Sequence, residues 1–128
     1  MYSTIKAGGK EIPVVSNAAT AFIFKQIFKE DLLTFIAKLE EHSDGETTEM
    51  MLKTFYVMAK QAEVPEMSKL LKSEMNSETF IEFISGFNIL ETGDIALQVF
   101  NVWNNNAETS ATDEEEKSSK KKTAKAAK

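Results

Sequence analysis

"TTEMMLKTFYVMAKQA", residues 47–62, is the stretch on which the fold of this chain turns. Met51, Phe55, Met58 and Ala62 fall at i, i+4, i+7 and i+11, which is one face of an α-helix. Met50 and Val57 lie one heptad apart and project with Lys53, Thr54 and Gln61, on the other side. Tyr56 sits near the border. A helix that is apolar on two sides has two readings. It is either central and buried all round, or it keeps one side for another apolar chain.

The flanking sequence supplies further helices. Ser16 or Asn17 can cap a helix reaching about Lys29, with Ile23, Phe24, Ile27 and Phe28 as its stripe. Phe22 projects away from that stripe, with Lys25, Gln26 and Lys29. A second helix is expected from about Asp31 to Glu41, carrying Leu32, Phe35, Ile36 and Leu39. His42-Ser43-Asp44-Gly45 then breaks the pattern before the helix at about 47–62. Pro65 opens a short helix with Met67, Leu70, Leu71 and Met75. Ser77 caps another with Phe80, Ile81, Ile84 and Phe87. Gly93 is expected to stop a turn, after which Asp94 caps a last helix with Ala96, Val99, Phe100 and Trp103.

Ahead of the helices, residues 1–15 alternate in the manner of strands about a Gly8-Gly9 turn, which predicts a β-hairpin. Pro13 lacks an amide hydrogen and marks its strand as an edge. A lone hairpin is marginal in water and must lean on other elements, within the chain or on a neighbouring one. Beyond Asn104-Asn105-Asn106 no large apolar residue occurs, so residues 107–128 are expected to be disordered. The expected architecture is mainly α. A small helical domain of five to six helices covers 1–106, with a hairpin at 1–15, and a polar, lysine-rich tail covers 107–128.

Charge narrows the partners. Of the 128 residues 27% are charged, and the net charge is -5. Residues 1–106 hold nine Lys against 15 Asp or Glu, so the body repels phosphate backbones. The tail places Lys117–Lys128 after the acidic run Asp113–Glu116. It contains neither Arg nor an aromatic residue, which argues against a nucleic-acid arm. Arg is absent throughout, so bidentate guanidinium clamps do not exist here. There is no Cys, which excludes thiolate chemistry and suits a reducing compartment. No signal-peptide pattern and no bilayer-length apolar run is visible.

Catalytic patterns are missing as well. His42 is the single histidine and is expected on a surface loop. "EEHSDGETTEMM" fails as a calcium loop, because Met51 stands where a bidentate Glu is required. "AGGK", residues 7–10, is too short for a phosphate loop. The carboxylates are dispersed, so neither metal nor cofactor is expected, and the chain is read as a binding protein rather than an enzyme. Phe22, Met50, Tyr56 and Val57 are the expected partner contacts. Six Met suit a surface that repacks around varied partners, and equally suit a gap-filling core.

"STIKAGGKEIPVV" leading into "SNAATAFIFKQIF", an acidic helical body and a lysine-rich C-terminus together resemble the tail assembly chaperones of long-tailed bacteriophages. The likeness spans the chain and is one of pattern and length, without a diagnostic motif. It implies a holdase that keeps the tape-measure protein soluble while tail-tube protein assembles around it. It also implies residence in the host cytoplasm, absence from the mature virion, and a longer frameshifted form whose slip site the Lys120-Lys121-Lys122 codons would mark. Oligomeric state stays open. A minor tail or head-joining protein and a small nucleic-acid-associated regulator are the alternatives.

Overall fold

The computed structural model describes residues 2–104. The expected tail at 107–128, with its slip-site lysines, lies outside them. Two strands, β1 (Tyr2–Ala7) and β2 (Lys10–Val15), precede α1 (Ala19–Phe28), α2 (Leu32–Ala37), α3 (Asp44–Glu63), α4 (Met67–Lys72) and α5 (Ser77–Ile84). A sixth helix, α6, covers 92–104. Short 3-10 turns at Leu39–Glu41 and Ile89–Glu91 complete the described elements.

The hairpin closes within the chain. Gly8 and Gly9 both have positive φ, 62° and 76°, the mirror-image turn whose twist suits two antiparallel strands. Ile5 faces Ile12 and Ser3 faces Val14 in the register. Ile5, Ala7 and Val14 are buried on one face, and β2 packs on α3. The outward amide and carbonyl of Lys6 both meet the Gln98 side-chain amide, at 2.8 and 2.9 Å. Alternation by two residues turns the main chain of Thr4, and of its partner Pro13, away from the ladder in the same sense. Pro13 therefore costs no inter-strand bond. At the turn, Glu91 Oε1 accepts from the Gly8 amide at 2.9 Å. That bond first, and the Asn88 amide second, hold the Glu91 carboxyl below the usual glutamate range.

The helix boundaries follow local chemistry that the sequence expectations caught only in part. The helix expected at 31–41 is split at Lys38, where ψ of 36° breaks α2 from the following 3-10 turn. α3 starts at Asp44, three residues ahead of expectation. Ser43 Oγ accepts from the Glu46 amide and the Glu46 side chain accepts from the Ser43 amide, a full capping box. Gly93 does not stop anything. Asn88 caps the 3-10 turn at Ile89–Glu91, which runs directly into α6, so Gly93 lies inside the first turn of α6.

One cluster of buried side chains draws on β1, β2 and all six helices. Its axis is α3. From Met50 to Gln61 only Lys53 and Lys60 keep partial exposure. Rings from α1, α3 and α5 meet there: Phe28 lies 5.5 Å from Phe80, Tyr56 5.4 Å from Phe83, and Phe55 5.1 Å from Phe83. Such pairs add about 0.5–1.5 kcal/mol each beyond the area they bury. Tyr56 also brings its hydroxyl within 2.6 Å of Thr79 Oγ1, tying α3 to the capping box that Thr79 forms with Asn76 at the start of α5. Tyr56→Phe keeps the ring and removes that bond. It is expected to lower stability by about 1 kcal/mol in chemical denaturation, with the slope unchanged.

Candidate functional site

The first question is where the four expected contact residues lie. Phe22 is 69% exposed. Met50, Tyr56 and Val57 are not available: they retain 6%, 1% and 0% of their surface. This corrects the expectation for those three, and the reason is geometric. Gln61, on the same side of α3 as Val57, takes a 2.7 Å hydrogen bond from Thr20 and donates to Asn17 at 3.1 Å. That side of α3 is thus covered by the start of α1. Lys53, also on this side, bonds Glu30 at 2.8 Å and Glu49 at 3.1 Å, and lies 5.1 Å over the Phe28 ring. Burial alone would lower the Lys53 ammonium pKa, but the two carboxylates outweigh it and raise it. α3 is the central helix of the two readings.

Exposed apolar groups gather elsewhere. α1 and α4 leave a groove of about 110 Å³ between Ile23, Gln26 and Ile27 on one wall and Leu70, Leu71 and Met75 on the other. A second groove, of about 180 Å³, is bounded by Tyr2, Val15, Val64, Pro65, Met67 and again Leu70. Leu70 belongs to both linings, so the two grooves adjoin across it. Cavities of roughly 150 Å³ admit a benzene ring, so each groove has room for about one large side chain. Phe22, 69% exposed, stands on α1 one helical turn before Gln26. Tyr2, Met67 and Leu71 are 75%, 40% and 50% exposed.

The local sequence explains this display. Pro65 ends the run of α3, and α4 is only six residues long, from Met67 to Lys72. Six residues bury one turn of side chain, and Leu70 takes that place with 1% exposure. Leu71, the next residue, turns outward. The sequence expectation placed Met67, Leu70, Leu71 and Met75 on one short helix without separating buried from exposed. Only the adjacency of two leucines in a short helix hints that one must face solvent.

The remaining polar residues are used structurally. His42 stacks on Phe35 at 4.0 Å between centroids, and its Nδ1 lies 3.6 Å from Glu46. Ser43 is committed to its helix cap. Among the described residues, no group of three or more His, Asp or Glu is placed to hold a metal ion. Among the same residues no helix is long and apolar enough to cross a membrane.

No family model, curated protein or solved structure matches this chain. Leu70 and Leu71 separate floor from rim in a way that can be measured. Leu70→Ala is expected to cost about 2–5 kcal/mol of folding stability, whereas Leu71→Ala changes it by less than about 0.5 kcal/mol.

Proposed function

We infer that the chain is a binding protein whose working surface is the pair of adjoining grooves at Leu70, and that it acts as a tail assembly chaperone of a long-tailed phage. The observation that carries the binding reading is the set of exposed apolar side chains, Tyr2, Met67 and Leu71, that line two indentations of side-chain size, with Phe22 exposed on the adjoining helix α1. Scattered exposed apolar residues are ordinary, but a contiguous set around a groove marks a contact surface. An amphipathic helix docks in such grooves by placing anchor residues in successive pockets. Met67 and Met75 give the α4 side the adaptable lining that suits partners of varied stripe.

The phage assignment rests on the likeness of the hairpin–helix opening, the acidic helical body and the lysine-rich end. The tape-measure protein of that family is a long helical chain with apolar stripes, and such a chain matches the groove chemistry. In this reading the chaperone covers tape-measure stripes reversibly and releases them as tail-tube protein arrives.

The test is co-expression with the tape-measure protein of the same phage, with its soluble fraction as readout. A Phe22→Ser, Leu71→Ser double variant is expected to fold with a melting temperature within a few degrees of the parent. It should keep at least about five-fold less tape-measure protein in solution, which corresponds to roughly 1 kcal/mol of lost binding. Undiminished solubilisation by that variant would rule out this surface.

A further inference from the structure

The molecule carries a third apolar indentation, away from the two at Leu70 and flanked by carboxylates. It lies between α3 and α6, has a volume of about 260 Å³, and is lined by Leu39, Met51, Leu97 and Phe100 together with Asp44 and Gly93. Leu97 is 59% exposed. Just before α6, Ile89 and Leu90 are 81% and 89% exposed on a 3-10 turn. That turn is rigidly held. Asn88 Oδ1 accepts from the Leu90 amide, and the two Glu91 oxygens accept from the Gly8 and Asn88 amides. The two aliphatic side chains are therefore presented outward on a braced turn.

Charge on this side is one-sided. The α6 wall comes from residues 73–104, which contain five Asp or Glu and no Lys, and the other wall from residues 38–51, which hold five Asp or Glu and one Lys. The two helix N-termini at the groove contribute about half a positive charge each. Asp44, Glu46 and Asp94, on those same turns, carry three negative charges and outweigh them. Lys38, beside Leu39, is the single lysine adjacent in sequence to a lining residue.

We propose that the groove between α3 and α6 is a second docking surface, and that its occupant is a basic amphipathic segment, with large aliphatic residues flanked by Lys or Arg. The apolar walls take the aliphatic side chains, and the surrounding carboxylates select the cationic flanks and repel acidic ones. Gly93 fits this role. A Cβ built there meets nothing within 4 Å, so the missing side chain leaves open space at the groove edge.

The probe is a synthetic leucine–lysine peptide of about 18 residues at helical spacing, titrated by fluorescence anisotropy against the full chain. Two controls accompany it: the leucine–glutamate counterpart, and a scrambled leucine–lysine peptide without a stripe. The patterned basic peptide should bind at least about ten-fold tighter than either, and more weakly as salt rises from about 0.05 to 0.2 M. Gly93→Leu, which fills open space, and Leu97→Ser should each weaken it by about ten-fold or more with an unchanged melting profile. Phe22→Ser should leave it unaltered, which separates this surface from the grooves at Leu70. Equal binding of either control, indifference to both groove variants, or an assembly of the chain with itself that Leu97→Ser dissociates would each overturn the proposal.

Discussion

The enclosure of α3 is the constraint on which the rest of the structure depends. Two-stranded hairpins and six-residue helices have little stability of their own. Here β2 packs on one side of α3, and α1, α4 and α5 pack on others. Twelve consecutive positions, Met50–Gln61, lose nearly all solvent contact apart from two lysines. A fully buried large apolar side chain is worth about 1.5–3 kcal/mol relative to an exposed one. Phe55, Tyr56, Val57 and Met58 alone thus anchor the short elements around them. With α3 sealed, any partner surface must be built from what the outer helices leave uncovered.

That leftover surface divides into two kinds. The grooves at Leu70 are bordered by α1 and α4, which carry Lys25, Lys29, Lys69 and Lys72. The groove between α3 and α6 takes one wall from residues 38–51, with five carboxylates and one lysine, and the other from residues 73–104, with five carboxylates and no lysine. The net acidity of the body therefore falls in these two stretches. A total of -5 for the whole chain conceals this division. Two apolar indentations with different electrostatic rims can engage two different segments, whether on one partner or on two.

The helices and the hairpin were legible because their signals are local. Glycines at 8 and 9, the Pro13 edge and the stripes of α1, α3 and α6 all depend on neighbours within a turn or two. Boundaries were less legible where capping decided them. The Ser43–Glu46 box lies inside a run that otherwise looks like a helix breaker, and Asn88 does the work expected of Asp94. The contact residues were the least legible. Periodicity shows that Met50 and Val57 lie opposite Met51 and Phe55, but it does not show what covers them. Gln61, on their side of α3, is bonded by Thr20 and Asn17, more than 40 residues earlier in the chain. Phe22 escaped because it lies on the side of α1 turned away from the Ile23, Phe24 and Phe28 stripe that packs into the core. Leu71 escaped because α4 is too short to bury two adjacent leucines.

Amide hydrogen exchange tests the central role of α3 most directly. If α3 is the axis that every other element leans on, amides from Leu52 to Gln61 open only with global unfolding. Their exchange free energies then equal the unfolding free energy from denaturation, while those of α4 and of the Ile89–Glu91 turn fall well below it. Exchange from α3 at a free energy clearly below the global value, with α4 or α5 more protected, would contradict the account.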